Sequence, residues 1–167
     1  PLQASPSETD STEGVTASGT AVVNFGADVP ANLLASIKLV DTGALDGQLK
    51  TLDGVDVVFA LESGVLVGRS GGNEVIRIEI SGAVLGPNPG DVTYSYSTTL
   101  SQPVKHVASG SEDSVTLNGV TFEVTDSETD TATGSFNVTV VDDVPSLDVT
   151  KGEDAGVVLA TQDAETD

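Results

Sequence analysis

Three acids at alternate positions mark the place in this sequence where residue types and spacing best suit a chemical role. Asp126-Ser127-Glu128-Thr129-Asp130 is followed by Thr131-Ala132-Thr133-Gly134 and lies between two strand-like segments. Carboxylates spaced this way in a loop can converge on one hard cation, and Ca2+ takes about six to eight oxygen ligands. The first positions of an EF-hand share the spacing, but Thr131 stands where that motif requires glycine, so an EF-hand is excluded. A solvated acidic turn is the plain alternative. A second cluster, Val141-Asp142-Asp143-Val144-Pro145, ends a strand-like run, and Pro145 fixes the exit of the chain. Adjacent carboxylates repel unless a cation or open water neutralises them. With Asp148, Glu153 and Asp154 close behind, the stretch suits a calcium ion that stiffens a linker or an acidic linker facing water. Asp126, Glu128, Asp130, Asp142 and Asp143 are the expected Ca2+ ligands.

Two polar, glycine-rich segments are candidates for ligand contact. Gly68-Arg69-Ser70-Gly71-Gly72-Asn73 carries one of the six basic residues and can offer backbone N–H groups to an anion, although a plain hairpin tip would use the same glycines. Gly86-Pro87-Asn88-Pro89-Gly90-Asp91 is a second long polar turn. Arg69, Ser70, Gly71, Gly72, Asn73, Asn88 and Asp91 are thus the expected ligand contacts, with the two loops as walls of one site. His106, the single histidine, reads as a surface or turn residue. One loop histidine gives little support to nucleophilic catalysis, which needs a base held by an orienting group. A zinc site would need cysteines or a second histidine. A carboxylate-pair glycosidase leans on aromatic platforms, and the chain has no tryptophan. The expectation is a protein that is not an enzyme. Asn137-Val138-Thr139 matches a glycosylation sequon but falls within a strand pattern.

The elements that must carry these residues have a period of two. Ile76, Ile78 and Ile80 alternate with Arg77 and Glu79, as in a half-buried strand. Val92, Tyr94 and Tyr96 alternate in the same way, as do Val120, Phe122 and Val124, and Phe136, Val138 and Val140. Val55, Val57, Phe59 and Leu61 form another strand, and Val65 to Val67 beyond Ser63-Gly64 make it a hairpin. Thr20 to Phe25, Leu34 to Val40 and Ser114 to Leu117 are further strands, and Pro30 to Leu34 allows one short turn. No helical stripe with caps at both ends is present. Eight or nine short strands separated by Gly, Asn, Asp and Pro predict an all-β fold, an antiparallel β-sandwich. With four Phe and two Tyr, its core must be mostly Val, Leu and Ile.

Charge narrows the function classes. The 167 residues include 26 acidic and 6 basic ones, a formal net charge of −20. Such a field repels a phosphate backbone, which excludes nucleic acid as a partner. No apolar run approaches the roughly 20 residues of a spanning helix, so membrane insertion is excluded too. Without cysteine there is no disulfide. Self-repulsion works against a compact state, and divalent cations are natural counter-charges, with simple solubility in a salty medium as the alternative. Residues 123–167 alone hold 12 acids against Lys151, a local net of 1 − 12 = −11.

The two ends of the chain echo each other. Leu2, Glu8, Thr9 and Asp10 recur as Leu159, Glu165, Thr166 and Asp167, an offset of 167 − 10 = 157 residues. Their place at both termini suggests one copy ending and the next beginning in a tandem array, with chance recurrence in a Thr- and Asp-rich chain as the alternative. The expected division is a lead-in at 1–14, a sandwich module at 15–145, and a linker or the start of the next repeat at 146–167. The first residues carry no initiator methionine and no basic or apolar leader, so the expectation is a module of a longer chain.

Thr131-Ala-Thr-Gly-Ser-Phe-Asn-Val-Thr-Val-Val-Asp-Asp-Val-Pro145 resembles the terminal signature of repeat domains in large RTX adhesins, bacterial proteins exported by type I secretion. Val22-Val-Asn-Phe-Gly-Ala-Asp28 is similar to the early strand of those repeats, and Asp154-Ala-Gly-Val-Val-Leu159 to the opening of the next one. Where relatives often carry Asp-Gly-Asp before Thr-Ala-Thr-Gly, this chain has Ser127-Glu128-Thr129-Asp130. The resemblance implies a calcium-stabilised β-sandwich at the extracellular cell surface, serving bacterial adhesion and biofilm formation. Its implied partners are neighbouring repeats of the adhesin and peptide C-termini or other ligands on target cells. In one ligand-binding group, a bound Ca2+ meets the peptide carboxylate. A structural extender repeat that binds nothing is the alternative.

Overall fold

The computed structural model describes residues 2–4, 15–106, 114–142, 147–151 and 157–161. The period-two segments form strands: β1 Leu2–Ala4, β2 Val15–Asn24, β3 Ile37–Val40, β4 Val58–Glu62, β5 Val65–Ser70, β6 Asn73–Leu85, β7 Asp91–Leu100, β8 Ser114–Thr125, β9 Thr131–Asp142, β10 Leu147–Lys151 and β11 Val157–Thr161. One antiparallel sheet has the order β2-β7-β6-β5-β4, and a second has the order β1-β9-β8-β3. The architecture is the expected all-β sandwich.

The core lies between the two sheets because each strand turns alternate residues inward. In β7 the inward set is Val92, Tyr94, Thr98 and Leu100, all buried. Facing it, β8 and β9 contribute Leu117, Val120, Phe122, Val124, Val138 and Val140. Tyr96 of β7 stacks on Phe136 of β9 across the gap, with ring centroids 3.9 Å apart and planes 18° from parallel. The rest is mainly branched aliphatic, as the small number of aromatics requires.

Four features depart from the sequence expectation. Strand β4 begins at Val58 rather than Val55, because Lys50 and Asp56 pair first in an isolated bridge. Leu34–Ser36 is a single 3-10 turn, so β3 starts only at Ile37. The expected lead-in contributes β1, which runs parallel to β9 with Leu2 opposite Val140, whereas every other strand pair among the described residues is antiparallel. Finally, β6 is 13 residues long and carries a bulge between Ile80 and Gly82. The extra residue changes the parity of the strand. Before it, Ile76 and Ile78 point inward; after it, Ala83 lies opposite buried Tyr94, and Val84 is left 61% exposed.

Candidate functional site

Strand directions sort the expected site residues into two groups at opposite ends of the sandwich. The Asp126–Asp130 loop joins β8 to β9, and its Ser127 N–H donates to the Asp28 carbonyl at 3.0 Å. Close by, Phe25 N–H donates to the Gly90 carbonyl at 2.8 Å, so the Gly86–Asp91 turn shares this end. The Gly71-Gly72 tip and the last residue of β9, Asp142, belong to the other end. The two glycine-rich loops therefore do not wall one site. Strand β6 runs between them, and its 13 residues span roughly 40 Å at about 3.3 Å per residue.

Each loop has a local reason for its shape. Gly71 and Gly72, at φ 58° and 85°, make a two-residue hairpin turn between Ser70 and Asn73 that suits the strand twist. Gly68 is not part of the tip: it sits in β5, where an added Cβ would meet Ile76 and Val57 side chains at 2.7 and 2.8 Å. Arg69 is already engaged. Its guanidinium donates to both carboxylate oxygens of Glu62, at 2.9 and 3.0 Å, and holds that carboxyl below its usual pKa. Gly68-Arg69-Ser70-Gly71-Gly72 also has the literal spacing of a nucleophile elbow, but it folds as a β-hairpin rather than the strand-to-helix turn that motif needs. At the opposite end, Asp91 accepts from Asn24 Nδ2 at 2.7 Å and Asn88 Nδ2 at 2.8 Å. These two amide donors lower its pKa. Asn88 and Asp91 thus brace their own turn against Asn24.

The acidic loop is organised around Asp126. Its Oδ1 accepts the N–H groups of Glu128 and Asp130 at 2.8 and 2.9 Å, while its own N–H donates to the Asp130 carbonyl at 3.0 Å. The turn this closes holds Thr129 at φ 76°. Alternate spacing has therefore not gathered three carboxylates around one point. Among the described residues no three acidic or histidine side chains come together to hold a metal ion. An ion at this loop would draw on Asp126 Oδ2 and the exposed Glu128 and Asp130, and a fuller shell would require Asp126 Oδ1 to give up its amide donors. Asp143, Glu153 and Asp154 lie outside the described residues.

A cleft of about 330 Å3 that the motif reading passed over opens at the end where β7 finishes, lined by Gln48, Lys50, Lys105, His106 and Val115. The segment after β3 builds one wall. Leu45, Leu49 and Val57 bury their side chains and anchor it, and Lys105 N–H donates to the Lys50 carbonyl at 2.8 Å. Gln48 fixes this wall to β8: its Nε2 donates to the Ala44 and Asn118 carbonyls at 2.8 and 3.0 Å, and its Oε1 accepts from Asn118 N–H at 2.8 Å. Lys38, Lys50, Arg69 and Arg77 each pair with an acid: Glu123, Asp56, Glu62 and Glu74. Lys105 has no acidic partner among the described residues. Its neighbour His106 keeps Nδ1 buried without a hydrogen bond. The sequence signal was present in Lys105-His106, but only the fold shows that, among the described residues, the Lys105 ammonium meets no acid and His106 Nδ1 no donor or acceptor.

No curated protein and no solved structure matches this chain. A family model does match residues 2–139, from β1 almost to the end of β9. The chain belongs to that family, DUF5801, a domain of unknown function.

Proposed function

We propose that this chain is a calcium-dependent module of a large bacterial surface adhesin exported by type I secretion, which binds a peptide or another ligand on target cells. The observation that carries the reading is the echo between the chain ends, set against the sheet topology. Leu2–Ala4 lie along β9 as the edge strand β1, and the matching Leu159 stands in β11, beyond the sandwich. A segment with the sequence context of β1 thus follows the module, as a tandem array of such modules requires. The net charge of −20 supports an ion-loaded setting, since cations would relieve its self-repulsion. An extender repeat is the second reading, favoured by the engagement of Arg69 with Glu62 and by the separation of the two glycine-rich loops.

Calcium decides whether the ion belongs to the reading. An ion that binds only the native state adds about 2.7 kcal/mol per site at a free concentration 100 times Kd. Thermal unfolding in EDTA, in millimolar Ca2+ and in millimolar Mg2+ is the test. A midpoint raised by Ca2+ alone is expected. An unchanged midpoint removes calcium, and an equal response to Mg2+ reduces the effect to general screening.

A further inference from the structure

We propose that the cleft at Lys105 is a binding site for a small organic monocarboxylate, a site that goes beyond the adhesin reading and needs no calcium. In a chain with 26 acids against 6 basic residues, a lysine without an acidic partner among the described residues is the unexpected state. Lys38, Lys50, Arg69 and Arg77 all have one, whereas Lys105 lines a cleft beside an imidazole whose buried Nδ1 has no hydrogen-bond partner among the described residues. Gln48 acts as wall rather than donor, because both its amide nitrogen and its oxygen are already committed to Ala44 and Asn118. Lys50 is held by Asp56. Recognition of an anion therefore falls to the Lys105 ammonium, with His106 next to it.

Charge and shape set the ligand class. One ammonium balances one negative charge, and a dianion would bring a surplus charge into the field of a −20 protein. Val115 supplies an apolar wall for a short aliphatic group on the carboxylate. At about 330 Å3 the cleft has the size of a small-molecule site.

The test is a backbone-amide NMR titration of the full chain in EDTA with N-acetylvaline, set beside N-acetylvaline amide. Saturable shifts at Gln48, Lys105 and Val115 are expected with the acid and not with the amide. Lys105→Gln should weaken binding about tenfold, the effect of losing one charged hydrogen bond. Lys105→Arg should keep most of the affinity, and Lys38→Gln should leave it unchanged. Lys105 is exposed, so these changes spare the core. Equal binding of the amide, undiminished binding by Lys105→Gln, or no saturable shift up to tens of millimolar overturns the site. A calcium-raised midpoint without carboxylate binding would leave the adhesin reading standing and this one refuted; the reverse result separates them the other way.

Discussion

Tyr94 donates its phenolic hydrogen to Ser36 Oγ at 2.6 Å, and Ser36 in turn donates to the Leu33 carbonyl at 2.7 Å. Both side chains are buried, so this relay ties the single 3-10 turn to the inner face of β7. Tyr94→Phe removes one bond and leaves Ser36 still satisfied by Leu33. The expected cost is about 1 kcal/mol, read as a drop of a few degrees in the thermal midpoint.

Burial raises the Tyr94 pKa, and the bond to Ser36 offsets part of that rise. A phenol whose pKa is higher folded than unfolded contributes stability that is fully present below the unfolded value, about 10. That contribution is lost as pH rises through the folded value. In a base titration, one of the two tyrosines should ionise only together with the loss of circular-dichroism signal. In Tyr94→Phe that late component should vanish. Reversible ionisation of both phenols in the folded protein would contradict the assignment.

Asp126 should matter more to its loop than Glu128 or Asp130. Asp126→Ala leaves the Glu128 and Asp130 N–H groups without their acceptor and should cost about 1–2 kcal/mol even in EDTA. Glu128→Ala should be close to neutral under the same conditions. If calcium binds here, its increment in the midpoint should disappear in Asp126→Ala and shrink in Asp130→Asn.

Two strand glycines should respond differently to a methyl group. A Cβ on Gly19 would fall 2.2 Å from the Tyr96 hydroxyl, and Tyr96 cannot yield easily because its ring stacks on Phe136. Gly19→Ala should destabilise by about 1–3 kcal/mol. A Cβ on Gly82 meets nothing nearer than the Ser95 side chain at 3.8 Å. Gly82→Ala should be neutral or slightly stabilising. Denaturant unfolding of the two variants in parallel checks the contrast.

Thr98 is 2% exposed, and its hydroxyl has no hydrogen-bond partner among the described residues. A small cavity of about 40 Å3 lies beside it, between β7 and β9. Thr98→Val removes the unpaired oxygen while keeping the branched shape and should raise stability by about 1 kcal/mol. A lower midpoint would show that the hydroxyl is satisfied in solution.

Alternation of side chains was enough to establish the sandwich. Ile76 and Ile78, Val92 and Tyr94, Val120 and Phe122, and Val138 and Val140 all reach the core that their period of two predicts. Turn chemistry was as legible, since Ser63-Gly64 and Gly71-Gly72 close hairpins where they stand in the chain. Both signals are local, because an inward face and a tight turn are decided within a few residues. What tertiary structure decided is non-local. The bulge after Ile80 sends Val84 outward, and β6 carries the two glycine-rich loops to opposite ends. Arg69 looked available as a sequence motif until the hairpin placed Glu62 beside it. Lys105 became notable only when Lys38, Lys50, Arg69 and Arg77 had found acids and it had not, among the described residues. Which charges neutralise one another depends on through-space distance, and a one-dimensional spacing of residues does not contain it.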